Sequence, residues 1–285
     1  GKMKLVLLLA FVVGSQALPL NHKQLVAEYA QRHPNPGSNE EYGHLWQGDI
    51  ELDDEQPGQF NAMWNLARRW PGSTIPYTIG SEYDSTQVAL IEEGIRDLVD
   101  STKVNGNQCI NIIPRTSESA YVFIQKFSGC SSFVGRTGSS QRMSLVDSCV
   151  TRHGTIMHEF LHAFGFYHEH TRGDRDDYVY VNFDNIQPGA VNNFVKLEEG
   201  SEVDHLGTEY DYGSVMHYGA YGFAIDPSIP TIVPHDPNAE IGQRVRLSEL
   251  DIERVQIFYC CLSAADSKYH KHMAAEQRDY CDNFP

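Results

Sequence analysis

His158-Glu159-Phe160-Leu161-His162-Ala163-Phe164-Gly165-Phe166-Tyr167-His168-Glu169-His170 sets the geometry from which the rest of the chain can be read. On a helix, residues four apart differ by about 40° around the axis, so His158 and His162 project side by side and can share one cation. Six more residues of unbroken helix would rotate His168 by about 240° from His162. The chain must therefore turn, and Gly165 stands where the turn is needed, because glycine enters positive φ at little steric cost and ends a helix there. With that turn His168 comes round to the same ion. Three neutral imidazoles suit zinc, one ion per chain, and leave a coordination position open to water, which is the arrangement of a catalytic site. Chance would produce this H-E-x-x-H pattern with its following Gly and third His with odds on the order of 10⁻⁴.

Glu159 adjoins the first ligand and reaches a zinc-bound water more easily than the zinc. It is expected to take the proton of that water and pass it to a leaving amine, which amounts to peptide hydrolysis. The composition agrees with an enzyme domain. In 285 residues, 41% are hydrophobic and 21% charged, enough to bury one main core. With 38 acidic against 22 basic side chains the net charge is −16, which repels a phosphate backbone and speaks against a nucleic-acid partner.

At the N-terminus, Lys2 and Lys4 precede the apolar run Leu5 to Val13, and Gly14-Ser15-Gln16-Ala17 supplies small residues, so residues 1–17 read as a signal peptide for secretion. The apolar run is about half of a bilayer span, and no later stretch approaches that length, so no membrane anchor is expected. Secretion favours disulfides for Cys109, Cys130, Cys149, Cys260, Cys261 and Cys281, among which the sequence allows fifteen pairings. Residues 18–60 are thin in apolar side chains and read as a pro-segment, with only Gln24 to Gln31 at helical spacing.

The remainder is globular. Ser85 to Ser101 predicts an amphipathic helix behind an Asp84/Ser85 cap, with Val88, Ile91, Ile95, Leu98 and Val99 on one face. Thr74 to Ile79, Ile110 to Ile113, Tyr121 to Gln125 and, more weakly, Met143 to Val146 carry strand composition. Ser248-Glu249-Leu250-Asp251 opens a last helix, and residues 171–247 are rich in Gly, Pro, Asp and Tyr, as irregular chain is. The fold expected is α+β: a mixed β-sheet with helices in the N-terminal half and an irregular C-terminal half closed by a helix.

Downstream of the histidines lies Tyr210-Asp211-Tyr212-Gly213-Ser214-Val215-Met216-His217-Tyr218. An extended zinc motif followed by such a Met-turn is the signature of the metzincin clan of two-subdomain zinc proteases. Within that clan the chain resembles the astacin family of secreted metalloendopeptidases, through Glu169 after the third histidine, the run His168-Glu169-His170-Thr171-Arg172 and the Ser-Val-Met-His-Tyr turn. The likeness extends over roughly residues 45 to 261.

The resemblance implies roles residue by residue. Met216 would lie beneath the zinc. Tyr218 would be a fifth metal ligand that swings away to stabilise the oxyanion. Trp46-Gln47-Gly48-Asp49 is similar to the family's F-x-G-D element, with Trp for Phe, and makes Asp49 the zymogen switch, a carboxylate in the place of the attacking water. A catalytic domain would span 61–261, freed by an activating protease that cuts between Phe60 and Asn61, with the Asn61 amine then buried against Glu169. Two disulfides are implied, Cys130–Cys149 and Cys109 with Cys261 or its neighbour Cys260. Cys260 and Cys281 then either pair or leave Cys281, in the short tail 262–285, as the opening of a cysteine-rich module. His235 and Arg244 are candidates for a basic group that reads acidic residues after the scissile bond. The function expected is that of a secreted, monomeric zinc endopeptidase made as a latent zymogen and acting on protein or peptide substrates; the competing expectation is an inert, zinc-stabilised scaffold or binding protein of the same fold.

Overall fold

The computed structural model describes residues 21–36, 43–52, 66–198, 203–262 and 281. The expected signal peptide, the expected Phe60–Asn61 cut and most of the tail lie outside the described residues. In chain order the elements are α1 (His22–Arg32), β1 (Ile50–Glu51), β2 (Thr74–Ile79), α2 (Ser85–Ser101), β3 (Asn111–Pro114), β4 (Tyr121–Gln125), β5 (Cys130–Phe133), β6 (Ser140–Leu145), α3 (Asp147–Val150), α4 (His153–Phe164), β7 (Val179–Val181), β8 (Ile232–Pro234) and α5 (Glu249–Phe258).

Six strands form one mixed sheet in the order β1-β5-β6-β4-β2-β3. β2, β4 and β6 run parallel, and β5 returns antiparallel to β6 with Ser132 opposite Met143. The strands carrying a β-branched signature fall where their composition places them, but β3 and β6 are each displaced from the expected spans, to Asn111–Pro114 and Ser140–Leu145. The Ser-rich β5 has no such signature, and β1 is two residues long. Both owe their existence to pairing with a neighbour and not to local preference.

α2 begins at Asp84, whose side chain accepts from the Gln87 amide while Gln87 answers to the Asp84 amide, a capping box one residue upstream of Ser85. Its apolar face, Ile91, Ile95, Leu98 and Val99, is buried in the main core with Phe160 and Phe164 of α4. Gly94 sets how closely the two helices approach: a Cβ there would lie 2.9 Å from the Cβ and Cγ2 of Ile156, which is fully buried.

Beyond α4 the chain is a series of short turns with one antiparallel strand pair, β7 and β8, around a second core that includes Val179, Phe194, Tyr218 and Ile232. α5 carries the chain back to the first half, where the Tyr259 hydroxyl donates to the Phe164 carbonyl at 2.9 Å. Cys109–Cys261 locks that return, Cys130–Cys149 ties β5 to α3, and Cys260 pairs with Cys281. Among the described residues no helix is long and apolar enough to cross a membrane.

Gly94→Ala is expected to destabilise the protein by up to about 2 kcal/mol in urea unfolding. Alanine's helix propensity favours the change by about 1 kcal/mol, but overpacking against a side chain that cannot retreat costs about 1–3 kcal/mol.

Candidate metal centre and active site

α4 presents the two histidines of its last turns inward, and both are buried, His158 at 1% and His162 at 0% exposure. The helix stops at Gly165, whose φ of 115° lies in the left-handed region; its amide donates to the Leu161 and His162 carbonyls, and the Phe166 amide to Leu161. This satisfies the last carbonyls and reverses the chain. His168 thereby joins the pair. Nitrogen atoms of His158, His162 and His168 and a carboxylate oxygen of Asp49 all lie within 4.8 Å of one another.

The orientation of each ring is fixed from behind. Nδ1 of His158 donates to the Val215 carbonyl at 2.8 Å, Nδ1 of His162 to the Phe166 carbonyl at 2.7 Å, and Nδ1 of His168 to Oε1 of Gln47 at 2.8 Å. With each Nδ1 proton so engaged, each Nε2 turns a lone pair toward the common centre. Burial outweighs the pull of the Asp49 carboxylate and lowers the pKa of His162 and of His168, the latter to about 4, so both rings are uncharged at neutral pH and fit to coordinate. Asp49 Oδ2 lies 3.0 Å from Nε2 of His158 and 3.3 Å from that of His168. Its Oδ1 stands 3.6 Å from Nε2 of His162, and neither of those two buried atoms has a hydrogen-bond partner among the described residues. A buried carboxylate oxygen and imidazole nitrogen left apart in this way are what a cation between them satisfies. The donor set, three imidazoles and one carboxylate, fits zinc.

Asp49 arrives through an unusual piece of backbone. Gln47 has φ 46°, left-handed for a residue with a Cβ, and Gly48 follows at 81°. Two contacts hold Gln47 there: its side chain accepts from His168, and its carbonyl accepts from the Tyr218 hydroxyl. Tyr218 is fully buried, beside the His168 ring at 4.7 Å between centroids. Glu159 is buried at 1% exposure on α4. Met216 is buried in the main core, and its carbonyl accepts from the Glu169 amide at 3.0 Å, which clips the Met-turn to the segment of the third histidine. Neither Gln47 nor the carbonyl acceptors carries any sequence signal apart from the short W-Q-G-D run.

The chain matches the model of the peptidase family Astacin over residues 62–260. It belongs to the astacin family. The α+β fold of this astacin domain is thus that of a zinc metalloendopeptidase. "Zinc metalloproteinase nas-13" of Caenorhabditis elegans is 40% identical over 228 residues, 80% of this chain and 49% of that protein, so the chain spans about half the length of this relative. "Low choriolytic enzyme" of Oryzias latipes is 38% identical over 79% of this chain and 81% of its own. The solved structure of High choriolytic enzyme 1, a hatching enzyme zinc-protease from the same fish, superposes with a TM-score of 0.64 at 38% identity, covering 70% of this chain and 98% of its own.

Around this astacin site the other expected residues are placed as follows. Glu169, at 4% exposure, accepts from both terminal nitrogens of Arg254 at 2.7 and 3.0 Å, from the Asp211 amide at 2.7 Å and, more distantly, from Arg172. Burial raises its pKa, but the two guanidinium groups more than offset this and hold it below the usual range. Asn61 lies outside the described residues; among the described residues the cations on Glu169 are Arg254 and Arg172. Arg244 is buried, not on the open surface, with its guanidinium donating to the His217 and Gln243 carbonyls, and it lines a cavity between Gly219–Tyr221 and Tyr29 and His33 at the end of α1. His235 sits just past β8, with Nδ1 3.1 Å from the Asp177 carbonyl.

Arg254→Met should destabilise the protein by about 3 kcal/mol near pH 7, because it leaves a buried carboxylate short of its main cation. Glu169 has a depressed pKa when folded, so the stability it contributes is present above its ordinary value of 4.5 and is lost as pH falls through the folded value. The difference between variant and wild type in urea unfolding should therefore narrow below about pH 4.5.

Proposed function

We propose that the chain is the latent precursor of a secreted zinc endopeptidase, in which residues 18–60 form a pro-segment and Asp49 is the switch. One observation carries this reading: the Asp49 carboxylate lies among the three Nε2 atoms, where an attacking water would have to stand. The two cannot share that place. The rest of the segment supports the same reading, because α1 seats Leu25 and Tyr29 on Ala220, Tyr221 and Val233, and β1 pairs with the outer edge of β5. Three disulfides accord with an oxidising, extracellular destination for a chain that opens on the expected leader of residues 1–17.

Bound zinc would supply a Lewis acid for the substrate carbonyl and bring the pKa of water toward about 7. The chain's own residues do the rest. Once an activating protease has cut near Phe60–Asn61 and the segment leaves, β5 has an open edge on which an extended peptide or protein substrate can pair. Glu159 takes the proton of the attacking water and hands it to the leaving nitrogen. Tyr218, released from the Gln47 carbonyl, donates its hydroxyl to the oxyanion, the service its metal-ligand role in the family prepares it for. Arg244 and the surface beneath α1 line the part of the cleft beyond. An inert scaffold of the same fold would need neither Glu159 nor Tyr218.

Two variants test this. Glu159→Gln, after removal of the segment, should hold zinc stoichiometrically yet cleave casein about 10²- to 10⁴-fold more slowly than wild type; equal rates would refute the mechanism. Asp49→Ala in the full chain should cleave a fluorogenic peptide before any processing, and a variant as silent as the uncut wild type would show that the switch lies elsewhere.

A further inference from the structure

Two residues beyond Asp49 the segment makes a second polar contact that latency at the metal does not require. Glu51 is 5% exposed, and its carboxylate accepts from Nε of Arg142 at 2.8 and 3.1 Å, from Nη2 of the same guanidinium, and from the Ser131 hydroxyl at 2.9 Å. The register brings these groups near one another: Glu51 of β1 lies opposite Phe133 of β5, one residue past the Ser132–Met143 pair that β5 makes with β6. A planar guanidinium and a hydroxyl converging on one carboxylate form a recognition site for an acidic side chain, more selective than a lone charge.

The two halves of this contact belong to different parts of the molecule. Glu51 departs with the segment, whereas Ser131 and Arg142 stay on the strands that form the cleft edge. The guanidinium of Arg142 also rests over the Phe127 ring, 4.4 Å from its centroid, which keeps it beside β5 independently of Glu51. Arg244 is not part of this contact: it lines a separate cavity with Tyr29 and His33.

We propose that Arg142 and Ser131 form a subsite of the trimmed protease that selects an aspartate or glutamate side chain two strand positions from the metal, and that Glu51 fills it in the latent chain as a substrate residue would. The proposal rests on the reading of residues 18–60 as a removable pro-segment, and it adds a determinant of which peptides are cut.

The test uses the full chain activated by limited proteolysis, with the new N-terminus sequenced, and a peptide series carrying Glu, Gln or Lys at each of three positions on either side of one cleaved bond. At one position wild type should favour Glu over Gln about tenfold in kcat/KM, the size expected of a charge-assisted pair at a partly exposed guanidinium. In Arg142→Gln that ratio should fall to about one, and in Arg142→Glu the preference at that position should pass to Lys. Each ratio is taken within one variant, so a general loss of activity or folding cancels. A ratio near one at every position in wild type, or Glu preferences that all survive in Arg142→Gln, overturns the subsite and leaves the protease reading standing. Cleavage of no peptide by the activated wild type overturns both.

Discussion

The centre depends on three imidazoles being turned so that their Nε2 atoms face one point, and a histidine ring does not choose that orientation for itself. It is chosen by the acceptor behind each Nδ1, and the three acceptors come from three places: Phe166 in the turn just after α4, Val215 in the Met-turn, and Gln47 in the segment ahead of the domain. A histidine whose Nδ1 proton is held can present only Nε2 to a metal, so these acceptors fix tautomer and direction together. The stop at Gly165 brings His168 within reach; the acceptors make reach into coordination.

The same turn that serves His158 is itself held at a distance. Asp251, the third residue of α5, accepts from the Ser248 amide as part of the helix cap and also from the Ser214 hydroxyl at 2.6 Å and the Val215 amide at 2.8 Å. One turn along the same helix, Arg254 pairs with Glu169. α5 therefore braces both the Met-turn and the segment of the third histidine from below, and the Cys109–Cys261 bridge at its end anchors the brace to the sheet. Buried ionic groups so far from solvent are costly unless fully partnered, and here the partners belong to the elements whose spacing the metal site needs.

The N-terminal segment uses the cleft twice over, as helix and as strand. α1 covers apolar side chains of the C-terminal half, while β1 extends the sheet of the other half, and between them Gln47 and Gly48 bend the chain through left-handed backbone to deliver Asp49. Tyr218 and His168 both bond to Gln47, and the Gly48 and Ile50 amides donate to the Leu45 and Trp46 carbonyls, which together hold the bend. Side chains that serve the centre thus also hold the segment across it.

The sequence by itself determined what is local. The four-residue spacing of His158 and His162, the glycine that must follow, the capped apolar stripes of α2 and α5 and the β-branched runs of β2 and β4 each follow from backbone geometry within a few turns, and the motifs around them carry the family. Tertiary structure decided what depends on pairing across the chain. No local pattern marks Cys130–Phe133 as a strand, because its conformation comes from the neighbours it bonds. None singles out Cys261 over Cys260 as the partner of Cys109, or Arg254 as the counterion of Glu169, 85 residues away. The carbonyls of Val215 and Phe166 were beyond reading because a backbone acceptor has no residue identity, and the Gln47 side chain, like them, takes its role only once the fold has set it behind a ring.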